Sequence, residues 1–173
     1  MKNAHIPILG FAAYSGTGKT TLLVKLIPLL RESGLRVALI KHSHHNFEID
    51  KPGKDSYRLR EAGATPVMLV SSHRRAIITE FSEVSEPKLD DQLKELDQSA
   101  LDLILVEGFK AEYFPKIELY RASLNKPLLF PNDPSIIAIA TEAETLIDNP
   151  PALLDINQPQ LIAEFILNVF LRS

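Results

Sequence analysis

The stretch Ala13-Tyr14-Ser15-Gly16-Thr17-Gly18-Lys19-Thr20-Thr21 constrains this chain more than any other. It follows residues 6–12, which read as a buried strand, and precedes Leu22-Leu23-Val24-Lys25-Leu26, which reads as the opening of a helix. Strand, glycine-rich turn and helix start together make a phosphate-binding loop, the Walker A element. Gly16 and Gly18 let the backbone wrap closely, so that its N–H groups point at a β-phosphate. The helix start adds its positive dipole end. Lys19 is expected to reach the β- and γ-oxygens, Thr20 to ligate Mg²⁺ through its hydroxyl, and Thr21 to meet the α-phosphate. Ser15 and Thr17 belong to the same cradle. The first glycine of the common pattern is Ala13 here, a change of one methyl group. A plain Gly/Ser/Thr turn with a chance lysine is the bland alternative, and the flanking strand and helix argue against it.

The length of 173 residues suits one domain with its own core. We therefore expect a single nucleotide-binding domain over 1–173, with an insertion near 71–87. The net charge is −3, so no strongly basic field exists and general nucleic-acid binding is disfavoured. Cysteine is absent, which excludes disulfides, thiolate zinc sites and cysteine nucleophiles. No signal-peptide pattern and no apolar run of membrane-spanning length occurs, so a cytoplasmic protein is expected.

Beyond the loop, residues 20–33 read as an amphipathic helix stopped by Gly34, with Pro28 expected to kink it or locally remove a hydrogen bond. A strand over 35–40, a polar loop over 41–54 and a helix over 55–62 follow. Residues 66–70 and 76–81 read as a β-hairpin around a basic turn at 71–75. An acidic linker (82–87) leads to a charged helix (88–98) with Leu89, Leu93 and Leu96 on one face. Further strands are expected over 101–106, 116–120, 136–140 and 153–156. A closing helix over 158–171 carries Leu161, Ile162, Phe165 and Val169 as its stripe. Alternating strands and helices predict an α/β three-layer sandwich of the P-loop nucleotide hydrolase type, with a mostly parallel sheet and a small β-hairpin insertion. The ligand should lie at the carboxyl ends of the strands.

Leu101-Asp102-Leu103-Ile104-Leu105-Val106-Glu107-Gly108 resembles a Walker B strand that delivers Glu107 to the P-loop, where an acid can hold Mg²⁺-bound water or poise an attacking water. A core strand that happens to end in Glu is the alternative; pairing with Walker A favours the functional reading. In the polar loop, Asp50 and Asp55 are candidates for the Mg²⁺ shell. Lys41 and Lys54 are candidates for phosphate contacts to a second ligand. Asp55 could equally cap the helix that follows. For His42, His44 and His45, phosphate or partner contact is preferred over metal binding. Arg58 could face the site, whereas surface placement is the plain reading for Arg58 and Arg60. Asn125-Lys126-Pro127-Leu128 starts like a guanine-reading signature but lacks its acid. Asp133, before Pro134, reads as a turn residue. The residues say nucleotide without saying which.

Several segments carry a closer likeness. Ser15-Gly16-Thr17-Gly18-Lys19-Thr20-Thr21, Ile40-Lys41-His42-Ser43-His44-His45, Asp50-Lys51-Pro52-Gly53-Lys54-Asp55-Ser56-Tyr57, Ala62-Gly63-Ala64 and Leu103-Ile104-Leu105-Val106-Glu107-Gly108-Phe109-Lys110 resemble the adapter family of molybdopterin-guanine dinucleotide biosynthesis. Leu153-Leu154-Asp155-Ile156-Asn157 is similar too. The resemblance implies a GTP-binding protein with weak GTPase activity. Such a protein uses GTP and Mg²⁺, forms a homodimer and assists the guanylyltransferase that joins GMP to molybdopterin, with molybdopterin itself a further ligand. On that basis Lys19, Glu107 and Asp50 are the expected catalytic residues, with Thr20, Asp50 and Glu107 around the metal. The nucleotide site would comprise Ala13, Ser15, Gly16, Thr17, Gly18, Lys19, Thr20, Thr21, Lys41, His42, Lys54 and Asp55. A P-loop small-molecule kinase, a metal-insertion GTPase using the histidine cluster, and a binding module without turnover are the competing readings. Arg74-Arg75, the one adjacent arginine pair, sits wrongly for a kinase lid.

Overall fold

The computed structural model describes residues 1–43, 47–83, 85–142 and 147–172. In chain order the elements are β1 (Ile8–Ala12), α1 (Lys19–Glu32), β2 (Val37–Lys41), α2 (Asp55–Glu61), β3 (Val67–Val70), β4 (Arg75–Ile78), α3 (Leu89–Glu95), β5 (Leu103–Glu107), β6 (Lys116–Leu119), β7 (Ile136–Thr141), β8 (Ala152–Asp155) and α4 (Pro159–Asn168). The chain forms two compact units: Met1–His42 with Lys88–Ser173, and Ser43–Pro87.

The larger unit is built on a six-stranded parallel sheet in the order β2-β5-β1-β6-β7-β8. The apolar runs of β1 and β5 become central strands because helices cover both faces. Side chains alternate between those faces. Leu9, Phe11, Leu103 and Leu105 pack with Leu22, Leu23, Leu26 and Leu30 of α1 and with Ile162, Ala163 and Ile166 of α4. Ile8, Ile104 and Val106 pack on the other side with Leu89 and Leu93 of α3 and with Phe109 and Phe114. Parity therefore sends Glu107 to the face that carries α1, the helix that begins with Lys19.

Local chemistry sets several boundaries. Helix α1 runs through Pro28 from Lys19 to Glu32. Proline removes only the bond to the carbonyl of Val24, a residue 67% exposed, so water can take that acceptor. The helix stops as expected at Gly34, whose φ of 91° lets Leu35 N–H reach the Leu30 carbonyl at 3.2 Å. Helix α3 ends at Glu95, short of the expected 98. There buried Gln98 donates to the carbonyls of Leu93 (2.7 Å) and Asn3 (2.8 Å). Strand β5 starts two residues later than expected, because Asp102 is engaged by Arg36 through backbone N (2.8 Å), Nε (2.9 Å) and Nη2 (2.8 Å). The apolar stripe of α4 is turned from the expected one: Ile162, Ala163 and Ile166 face inward, while Leu161 and Val169 are exposed.

In the smaller unit β3 and β4 pair antiparallel as the expected hairpin, with Leu69 opposite Ala76. Arg60 ties this unit together. It pairs with Glu48 (2.7 Å) and Glu80 and lies 5.0 Å over the Tyr57 ring. Its side chain is only 10% exposed, so it is not the solvated surface arginine that its sequence context suggests.

Candidate nucleotide site

Strand β1 ends at Ala12 and α1 begins at Lys19, so the glycine-rich stretch bridges the carboxyl end of a central strand and a helix N-terminus. Gly16 and Gly18 take φ values of 83° and 95°, a region that side chains rarely enter. The loop and Glu107 line a cleft of about 310 Å³, formed by Tyr14, Ser15, Gly16, Thr17, Gly18, Lys19, Thr20 and Thr21. No side chain caps α1, so its first-turn N–H groups face the cleft as donors. Thr17 is buried and its hydroxyl donates to the Tyr14 carbonyl at 2.8 Å, so it serves the cradle through its backbone. Ala13 lies in the core beneath the loop and does not line the cleft.

The parallel register brings Phe11 of β1 and Lys41 of β2 level with Glu107. The Glu107 carboxylate, 13% exposed, stands between two ammonium groups: Lys19 Nζ at 3.7 Å from Oε1 and Lys41 Nζ at 3.5 Å from Oε2. His42 fixes the end of β5 by donating its backbone N–H to the Glu107 carbonyl at 2.8 Å. Its ring stacks on Phe109 with centroids 4.8 Å apart. Gly108 is required between them, because a Cβ there would lie 2.6 Å from His42 Cβ. A carboxylate and a threonine hydroxyl on the same cleft as the loop amides are the donor set of a Mg²⁺–nucleotide site, so these residues fit that pair.

Two cations that sequence reasoning left without a role join this site. Arg121, just past β6, donates from Nε to the Thr17 carbonyl at 3.0 Å and pairs with Glu142 past β7. In a trans peptide the C=O and the following N–H point opposite ways. Holding the Thr17 carbonyl therefore also fixes the direction of the Gly18 N–H. Lys110 lies with Nζ 5.3 Å from the Tyr14 ring centroid. Partial burial, then the nearby Lys19 charge, push its ammonium below the ordinary lysine range. Only the sheet order could reveal Arg121, since β6 is far from the P-loop in sequence.

A family model for molybdopterin guanine dinucleotide synthesis protein B matches residues 8–142. That match runs from the P-loop strand to Glu142. The chain belongs to this family. The molybdopterin-guanine dinucleotide biosynthesis adapter protein of Haemophilus influenzae is 49% identical over 167 residues, covering 96% of this chain and 90% of the relative. Its counterpart from Escherichia coli is 48% identical over 163 residues, covering 94% and 92%. A crystal structure of molybdopterin-guanine biosynthesis protein B is similar at a TM-score of 0.72 and 30% identity, over 94% of this chain and 99% of that one. A MobB homologue from Bacillus stearothermophilus, at 24% identity and a TM-score of 0.64, shares the fold.

The remaining site residues expected for this family lie in the smaller unit. Asp50 accepts the Lys51 N–H at 2.9 Å through Oδ1, and Oδ2 is buried without a hydrogen-bond partner among the described residues. Lys54 is the N-cap of α2 and Asp55 is its first helical residue, so Asp55 acts on the helix dipole and does not cap it. Arg58 is exposed on α2. His44 and His45 lie outside the described residues, and among the described residues no group of three His, Cys, Asp or Glu could hold a metal. Asn125 closes a 3-10 turn at φ 48°, and Asp133 is occupied by buried Lys116 (2.9 Å) and by Ser135. Both therefore have structural uses, in keeping for Asp133 with the turn reading. Among the described residues no helix is long and apolar enough to cross a membrane.

Proposed function

We propose that this chain is a GTP-binding adapter with slow GTPase activity that assists the guanylyltransferase of molybdopterin-guanine dinucleotide biosynthesis. Family membership supports the pathway. The observation that carries the nucleotide reading is the cleft in which the Gly16–Gly18 turn, the α1 N-terminus, Lys19 and Glu107 meet. Guanine comes from the family resemblance.

The loop amides and Lys19 would bind the β- and γ-phosphates and stabilise negative charge developing there. Thr20 and Glu107 would hold Mg²⁺, which supplies further neutralising charge. Glu107 would also orient a water in line with the γ-phosphate, and the Lys41 ammonium at 3.5 Å helps to aim that carboxylate. Arg121 is tied to Thr17 and Glu142, so it is no free arginine finger, and slow turnover follows. Asp50, Lys54, Asp55 and His42 enter as further nucleotide-site residues on the sequence reading. The homodimer, the contact with molybdopterin and the cytoplasmic location belong to the proposal in the same way.

Calorimetric titration with GTP and with ATP, each with Mg²⁺, tests this reading; it is then repeated with the guanylyltransferase present. GTP preference is expected. Lys19→Ala should weaken binding about 10- to 100-fold, the equivalent of one charge-assisted contact. ATP preference, or unchanged affinity in Lys19→Ala, would overturn it.

A further inference from the structure

The Glu107-Gly108-Phe109-Lys110 segment contributes its acid, its glycine and its aromatic ring to the site, and its lysine has so far done nothing. Among the described residues, the ammonium groups of Lys19, Lys41 and Lys110 and the Glu107 carboxylate stand in or beside the cleft. Lys19 and Lys41 share Glu107, at 3.7 and 3.5 Å. Lys110 pairs with no carboxylate among the described residues and rests on the face of Tyr14, a residue that lines the cleft. Such an excess of positive charge beside a water-accessible cleft raises the local concentration of anions. Burial and Lys19 both act against the Lys110 charge, so an arriving anion would relieve an unfavourable arrangement.

The position selects which part of a nucleotide would be met. Lys19 Nζ marks the β/γ end of the phosphate chain in a P-loop. It points at Glu107, and Lys110 follows that acid by three residues. The base of the Lys110 side chain is fixed. Phe109 is buried, is held at φ 52° and is stacked on His42. Only the flexible lysine stem needs to move, and its point charge with three donors suits a terminal phosphate that presents several oxygens.

We propose that Lys110 is a specificity-determining residue of the nucleotide site: its ammonium leaves the Tyr14 ring to bind the terminal phosphate of a nucleoside triphosphate, so that the cleft tells triphosphate from diphosphate. This rests on the P-loop reading above. The role concerns binding and involves no bond change.

Calorimetry with Mg²⁺ and either a non-hydrolysable GTP analogue or GDP tests it in the full chain, using the unaltered protein, Lys110→Gln, Lys110→Arg and Lys19→Ala. Lys110→Gln should weaken the triphosphate about 10-fold and the diphosphate by less than about 2-fold, as expected for one lost charge-assisted contact. Lys110→Arg should keep most of the preference, and Lys19→Ala should weaken both ligands. A parallel thermal melt checks that Lys110→Gln is folded. Equal losses for the two ligands in Lys110→Gln, or an unchanged ratio, would overturn the role of Lys110 and leave the P-loop reading standing. If the unaltered protein binds neither ligand, both readings fall.

Discussion

The two units of this chain are held together by different physics. In the larger one, Leu26, Leu30, Leu103, Leu105 and Ile162 have no measurable exposure and sit between helices and a parallel sheet. In the smaller one, none of the described residues is fully buried, and Phe47, Val70 and Phe81 are at least 69% exposed. Its internal order comes from a four-residue-by-four-residue hairpin, the roughly two turns of α2 and the Arg60 pairs. The contrast shows where rigidity was placed. The Gly16–Gly18 turn hangs from a fully buried strand, so its amides are preorganised. The Ser43–Pro87 segment, with little apolar burial, belongs to the low end of the local stability range.

The largest effect should come from the core. Leu26→Ala should cost about 2–5 kcal/mol in chemical denaturation, since it opens a cavity between α1 and the sheet. A cost below about 1 kcal/mol would show that the packing around α1 can collapse and that the contrast between the units is overdrawn.

Arg60→Ala should act locally and leave Glu48 and Glu80 without their shared cation. Amide hydrogen exchange should rise several-fold within Ser43–Pro87 and stay unchanged in β1 and β5. Equal acceleration in both units would merge them into one cooperative body.

The smallest effect concerns the rim of the larger sheet. The Arg36 side chain and backbone N–H hold the Asp102 carboxyl down to about 2, below the ordinary 3.8. A depressed carboxyl pKa gives stability that is present above the ordinary value and is lost as pH falls toward about 2. Asp102→Asn should therefore melt slightly below the unaltered protein at neutral pH, with the gap closing below pH 3.8 toward about 2 and narrowing in high salt. A gap that persists at pH about 2 would mean that Asn fails for reasons of packing and not of charge.

Legibility followed the range of the forces involved. The strand–turn–helix arrangement around Gly16 and Gly18 was readable because its signals are contiguous: strand, turn residues, Lys19 and helix adjoin in sequence. Glu107 was readable because an apolar run that ends in an acid is a local pattern. The α4 stripe was misread because a helix with apolar residues at 161, 162, 163, 165 and 166 offers more than one inward face. Contact with Leu22, Leu26 and their neighbours selects Ile162, Ala163 and Ile166. Arg60 looked like surface because its partners lie twelve residues before it and twenty after.

By itself, then, the sequence determined the parallel α/β class, the glycine-rich turn between a strand and a helix that opens at Lys19, the acid that ends β5 at position 107 and the hairpin. All of these are written in turn chemistry and in periods of two or three to four residues. Only the tertiary structure decided that Lys41 shares Glu107 with Lys19, that Arg121 holds the Thr17 carbonyl, and that Lys110 lies against Tyr14. Those contacts depend on strand order. Placing β1 between β5 and β6 brings together residues as far apart as Thr17 and Arg121, and no local pattern encodes that choice.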